Sequence, residues 1–242
     1  PVRLVRDVLS DQKKILAIDT ALPTMSVCVS SELNEFPLAM ESTPMARGHA
    51  EALMPAIERV VNSVDGGFGV LDRIAVTVGP GSFTGIRVGI AAARGLGLAL
   101  GIPVVGVSTL AAMAAEFIGD QCQDLIACSI DARHGHVFIQ AFAPGGQILI
   151  APKAMVLKDA IRALGSGPVR FVGPGAAIMA AEAWQMGLRA EIERDCVAPD
   201  IRQVARLGLL ANPGHSPPRP MYLRPAEARP QTARGLAGRR AP

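Results

Sequence analysis

The sequence has no pair of cysteines placed to grip a metal or staple a loop. Cys28, Cys122, Cys128 and Cys196 stand without a C-x-x-C spacing, which excludes the common zinc sites and a disulfide framework and leaves buried free thiols in a reducing compartment as the expectation. Half of the 242 residues are apolar, yet no uncharged apolar run approaches the roughly 20 residues that cross a bilayer. The opening Pro1-Val2-Arg3-Leu4-Val5-Arg6-Asp7 also lacks the apolar stretch of a signal peptide. A cytoplasmic protein, neither secreted nor membrane-bound, is expected. Strong charge is missing too: the net +3 is concentrated from Arg224 onward, where five arginines face one glutamate, so the tail carries +4 and the body about −1. The body is therefore not a polyanion-binding surface.

What is present alternates strands with helices, the pattern of an α/β layer protein. Ile15-Leu16-Ala17-Ile18-Asp19-Thr20, a turn at Pro23 and the alternating Met25 to Ser30 read as strand, turn, strand. From His49 to Val64, Leu53, Ile57, Val60, Val61 and Val64 recur at helical spacing until Gly66-Gly67. Ile74 to Val78 reads as a buried strand, Gly79 to Gly85 as a turn, Ile86 to Leu100 as a second helix, Gly101 to Val107 as a strand and Ser108 to Phe117 as a helix. The second half repeats the opening logic: Leu125 to Ile130 runs into Asp131, a turn at Ala132-Arg133-His134-Gly135, and His136 to Phe142. Helices are expected over Pro152 to Leu164, Ala176 to Met186 and Asp200 to Leu210, with a strand at Val169 to Gly173. The division expected is a first lobe over 12–106, a second over 107–224, and a Pro/Arg/Gly-rich tail over 225–242 that is too poor in core residues to fold. For that tail, contact with RNA phosphates is the alternative to a solvated arm.

Gly85, Gly89, Ala93 and Gly97 fall four residues apart, giving the second helix a nearly bare face on which another helix could pack. With only Arg87 and Arg94 charged, this helix barely has a polar side. It lies either within its own domain or between its sheet and a partner. The expected partner surface is Gly85, Ile86, Gly89, Ile90, Ala93 and Gly97, extended by Ala50, Met54, Ile57 and Val61 of the preceding helix. Gly89→Leu is then expected to block pairing without unfolding the lobe.

The Gly79-to-Gly85 loop could receive an anion at a helix start, or could simply be a tight turn capped by Ser82 or Thr84; no G-K-[ST] follows it. Asp19 and Asp131, each at a strand end, resemble the phosphate-facing acids of actin-like ATPases, but their turns lack the small glycine-bearing geometry that lets phosphates approach. Asp19, Thr20, Gly81, Ser82, Thr84 and Asp131 are thus the candidates for a vestigial nucleotide or phosphate site. His49 would need a histidine four residues on to make a helical metal pair, and Leu53 stands there. No metal, cofactor or catalytic residue is assigned.

Four segments, Ile15 to Thr20, Arg47-Gly48-His49-Ala50-Glu51-Ala52-Leu53-Met54-Pro55, Gly79-Pro80-Gly81-Ser82-Phe83-Thr84-Gly85-Ile86-Arg87-Val88-Gly89 and Asp131 to Phe138, together resemble the TsaB (YeaZ) family, the likeness running from Lys14 to Arg224. The resemblance implies a two-lobed actin-like (ASKHA, ribonuclease H-like) fold, with mixed sheets flanked by helices and without the usual nucleotide binding. It implies a non-catalytic subunit in the making of threonylcarbamoyladenosine on transfer RNA, paired through first-lobe helices with a TsaD-like catalytic paralogue. A TsaE-like ATPase joins that complex, transfer RNA is met through it, and the chain alone could form a homodimer. The competing readings are a metal-dependent hydrolase or peptidase and a nucleotide-regulated binding module of the same superfamily.

Overall fold

The computed structural model describes residues 12–34, 36–118, 123–194 and 196–223. Cys122, Arg224 and the tail over 225–242 lie outside them, so the expectation for the tail has no structural counterpart here.

Strand β1 (Lys14–Asp19) runs antiparallel to β2 (Thr24–Ser31), and β2 antiparallel to β3 (Ala39–Pro44). Helix α1 (His49–Asn62) leads to β4 (Arg73–Gly79), which is parallel to β1; α2 (Phe83–Leu100) leads to β5 (Val104–Ser108), parallel to β4. The sheet order is β3-β2-β1-β4-β5. After α3 (Thr109–Ala114) the same plan recurs: β6 (Leu125–Asp131), β7 (His136–Phe142), β8 (Ile148–Val156), α4 (Leu157–Ala163), β9 (Val169–Val172), α5 (Ala176–Gln185) and β10 (Ala190–Arg194) form a sheet in the order β10-β9-β6-β7-β8. Two copies of one ladder, strand for strand, make the two-lobed actin-like (ASKHA) fold that was expected.

The period-two alternation of β1 shows how the layers stack. Ile15, Leu16, Ala17 and Ile18 are all fully buried, but Leu16 and Ile18 join the core beneath α1 and α2, whereas Ile15 and Ala17 join a separate cluster with Ile201, Val204 and Ala205. Those last three belong to α6 (Ile201–Leu210), which returns from the second sheet to cover the far face of the first. Gly208 permits this contact, since a Cβ there would come within 2.8 Å of Ile15 Cδ1. Beyond α6, Ser216 accepts a hydrogen bond from Gly106 N and Met221 N donates to Val78 O, so 216–221 straps across β5 and β4. The described chain from Ile201 to Leu223 therefore lies on the first lobe, although the expected boundary put all of 107–224 in the second.

In the second sheet, Ala127 faces the cluster under α4 and α5, while Ile126, Cys128 and Ile130 join the main core. Leu110, Met113 and Ala114 of α3 lie in that same core, so one apolar layer runs through both lobes.

Three element expectations change. Helix over Pro152 to Leu164 begins only at Leu157, because Ile148–Val156 pairs with β7 as an edge strand, where Pro152 costs no interior ladder bond. Strands β3 and β10 were not expected; both are edge strands with half or more of their residues in partial or full contact with water, so neither has a clean apolar signal. The helix expected over Ser108 to Phe117 is α3 alone, N-capped by Ser108, whose hydroxyl accepts from Ala111 N.

Candidate functional site

The small-residue row of α2 faces inward. Gly85, Gly89, Ala93 and Gly97 are all buried, as are Ile86 and Ile90. A Cβ on Gly85 would collide with the Thr20 carbonyl, one on Gly89 would lie 2.5 Å from Thr20 Oγ1, and one on Gly97 would strike the Val104 side chain. The row is a close-packing ridge, as its spacing indicates, but its groove is the chain's own sheet. On α1, Ile57 and Val61 are fully buried core residues. Of the expected partner surface only Ala50 and Met54 reach water, Met54 being 45% exposed. The six positions on α2 and the two on α1 are thereby corrected: they hold the lobe together. Alone, α2 is long and apolar enough to span a membrane by length and composition; here its inner row is used up on the turn after β1 and on β4 and β5.

The outward side of the same helix pair carries other residues. Leu98 is 87% exposed and Phe83 52% exposed, with Ala91, Gly95 and Ala99 also open to water. Arg87 lies over the Phe83 ring at 3.3 Å and also faces the Tyr222 ring at 5.6 Å, tying the end of the C-terminal strap to the first turn of α2. Reasoning from sequence gave Phe83 and Tyr222 no role.

The candidate phosphate residues divide between a cleft and the core. A cleft of about 360 Å³ lies between the lobes, lined in part by His49, Gly81, Ser82, Asp131 and Arg133. Gly81, Ser82 and Asp131 thus come together. Thr84 is exposed on α2 and does not line it. Asp19 and Thr20 are buried and do not line it either. Three contacts close the turn between them and the cleft. Ser82 N donates to Ala21 O at 2.7 Å, the Thr20 hydroxyl donates to Gly85 O at 2.7 Å, and a Cβ on Gly81 would strike the Ala21 carbonyl. The glycine of this loop serves backbone-to-backbone packing. Asp131 sits at the lip, exposed, with Oδ1 accepting from Arg133 N at 2.7 Å.

Asp19 Oδ1 accepts from the Thr77 hydroxyl at 2.6 Å and from Ala21 N at 3.1 Å, while Oδ2 is buried without a partner. Burial pushes the carboxyl up to about 6, against the Thr77 and Ala21 hydrogen bonds and the charge of His49, which each draw it down. His49 Nε2 is likewise buried without a partner. One turn on, Leu53 is 1% exposed within the core, so the place of a second helical histidine is filled by packing. Among the described residues no three His, Cys, Asp or Glu side chains gather as a metal site. A larger groove of about 670 Å³ runs between β2–β3 and 194–202, and none of the expected site residues line it.

A family model described as tRNA N6-adenosine threonylcarbamoyltransferase (TsaD) matches residues 43–210. The tRNA threonylcarbamoyladenosine biosynthesis protein TsaB of Bacillus subtilis (strain 168) is 32% identical over 169 residues, 66% of this chain and 70% of that protein. The chain belongs to the TsaB (YeaZ) family. An uncharacterised protein of Mycobacterium tuberculosis (strain ATCC 25618 / H37Rv) is 33% identical over 218 residues, 89% of this chain and 94% of its own length. Among solved structures, YeaZ from Pseudomonas aeruginosa superimposes with a TM-score of 0.63 at 23% identity, over 87% of this chain and all of that one. A second P. aeruginosa protein, described as similar to peptidase YEAZ, does so with a TM-score of 0.69 at 24% identity, over 88% of this chain and all of that one. These two likenesses speak for the fold.

Proposed function

We propose that this chain is a non-catalytic subunit in the formation of threonylcarbamoyladenosine on transfer RNA, pairing with a TsaD-like catalytic paralogue. The observation that carries the reading is the closed state of both places where chemistry would sit. The Thr20–Leu22 turn is sealed onto the Gly81–Gly85 loop in front of Asp19, and Leu53 occupies the core where a second histidine beside His49 would be needed. Membership of the TsaB family supports the pathway, and the B. subtilis relative bears the name of a biosynthesis protein for this modification. The pairing surface is the outward side of α1 and α2: Ala50 and Met54 with Ala91, Leu98 and Phe83, in place of the inward row. A TsaE-like ATPase belongs to the same assembly, transfer RNA is met through it, and the same surface serves self-association when the paralogue is absent. An exposed side chain as large as Leu98, on a helix charged only at Arg87 and Arg94, supports a covered state.

The test is co-expression with the TsaD-like paralogue from the same genome, followed by reconstitution on unmodified transfer RNA. Co-elution, and modification that needs both proteins, is the expected result. Failure to pair, or peptidase activity with a stoichiometric metal lost in His49→Ala, overturns the reading.

A further inference from the structure

We propose that the end of the strap and the first turns of α2 form a contact for unpaired RNA, in which Tyr222 and Arg87 receive a base while Arg219 and the arginines from Arg224 onward take phosphates. The body's charge of about −1 is an average over segregated groups. None of the 21 acidic residues falls within 73–115 or 201–226, which together hold seven arginines. These two stretches meet in the fold: α6 covers β4 and β5, Ser216 O accepts from Gly106 N, and Met221 N donates to Val78 O. The acids at their margins are engaged elsewhere, Asp72 with Lys14 N, Glu116 with Arg194 and Asp200 with Arg202. Helix α1, which carries the exposed Glu51 and Glu58, lies over β2 and β3. The acid-free side of the first lobe is therefore that of α2, β5 and the strap.

Three arginines on that side, Arg87, Arg94 and Arg219, are exposed and make no ion pair among the described residues. Arg94 shares the outward stripe of Ala91 and Leu98 and belongs with the pairing surface. Arg87 differs, because its guanidinium is held over the Phe83 ring at 3.3 Å and beside Tyr222 at 5.6 Å, with the two rings 5.8 Å apart. Phe83 fixes the cation, and half-exposed Tyr222 offers a ring to water beside it. An aromatic ring next to a guanidinium is how bases of single-stranded nucleic acid are stacked without sequence readout. An acidic peptide would meet the arginines equally well but has nothing to lay on Tyr222.

The strap is set for this in advance. Pro217, Pro218 and Pro220 fix backbone angles on either side of Arg219, whose N–H donates to Pro217 O at 2.8 Å. The bonds of Ser216 and Met221 pin both ends to the sheet. The backbone that carries Arg219 and Tyr222 therefore has little freedom left to lose on binding. From Arg224 onward the sequence adds five arginines against one glutamate, so positive charge for a phosphate chain continues past the aromatic pair. That the RNA is a transfer RNA rests on the reading above; the surface itself needs no paralogue.

Fluorescence anisotropy of an end-labelled, unmodified transfer RNA with the full chain alone tests it, at salt from about 50 to 200 mM. The expected result is saturable binding whose log K falls linearly with log salt, with a slope smaller by about 0.7 in Arg219→Gln as one phosphate contact is lost. Tyr222→Ala should weaken binding about fivefold or more at fixed salt without changing the slope, and Tyr222→Phe should keep the wild-type affinity. A fully paired RNA duplex of equal length, and polyglutamate as a competitor, should each be bound about fivefold or more weaker than the transfer RNA. No binding, wild-type affinity in Tyr222→Ala, an equal loss in Tyr222→Phe, an unmoved slope in Arg219→Gln, or equal affinity for the duplex or polyglutamate overturns the inference. Absent RNA binding with co-elution of the paralogue intact defeats this inference alone, and absent co-elution with RNA binding intact defeats the pairing reading alone.

Discussion

The Thr20 hydroxyl donates to the Gly85 carbonyl across 2.7 Å, and the Thr20 carbonyl occupies the space a Cβ on Gly85 would need. This one contact locks the first turn of the lobe to the first turn of α2. It spends the loop on packing between backbones.

Gly89→Leu should fail as an interface probe and act as a folding mutation. Its side chain would enter the space between Thr20 Oγ1 and the Val76 methyl, where a Cβ already approaches to 2.5 and 3.3 Å. Overpacking of this kind costs about 1–3 kcal/mol or more. Urea denaturation should show a lower midpoint with an unchanged slope, and wild-type stability would contradict the inward placement.

Leu98→Glu tests the outer side of the same helix. Because Leu98 is 87% exposed, its replacement should move stability by no more than ~0.5 kcal/mol. Light scattering of the chain alone and co-elution with the paralogue should both show weaker association. Unimpaired association with each would place the pairing surface elsewhere.

Asp19→Asn should stabilise the fold at neutral pH. The folded-state value is raised from 3.8 to about 6, so the native state holds its proton more tightly than the unfolded chain. The benefit is full below pH 3.8 and lost as pH rises through about 6; above that, burial of the charge costs roughly 3 kcal/mol. Asparagine keeps an acceptor for Thr77 and Ala21 without the charge. The gain over wild type should appear at pH 7.5 and vanish toward pH 4, measured as the difference in unfolding free energy; a gain independent of pH would exclude the ionisation as its cause.

Arg73→Met should loosen α6. The guanidinium Nη1 donates to the carbonyls of Gly208, Leu209 and Ala211 at 2.8–2.9 Å, satisfying the C-terminal end of the helix that closes the far face of the first sheet. Loss of charge-assisted bonds to a helix end is worth about 1.5–3 kcal/mol. Exchange at the last turn of α6 should speed up before that of β1, and equal acceleration in both would point to global destabilisation instead.

Segments whose burial is complete or cleanly one-sided were readable in advance. Ile15 to Asp19 and Leu125 to Asp131 announced themselves as strands by apolar runs, and α1 by the period of Leu53, Ile57, Val60 and Val61, because burial is nearly uniform along the two strands and confined to one face of the helix. Edge strands β3 and β10 gave no such signal, since water on one side dilutes the pattern. Ile148–Val156 misled because Pro152 reads as a helix start, while at a sheet edge it is tolerated.

By itself the sequence determined the α/β alternation, the duplicated opening of each half, the missing histidine at Leu53 and the family, since all of these reside in residue type and spacing. Only the tertiary structure decided which way the glycine row of α2 faces. A ridge of small residues records that something comes close, and a sheet and a partner helix demand the same absence of side chain; the Thr20 carbonyl, sixty-five residues away from Gly85 along the chain, supplies the answer. The same holds for α6, whose apolar stripe fits either lobe, and which lies on the first because Gly208 lets it approach Ala75 and Ile15.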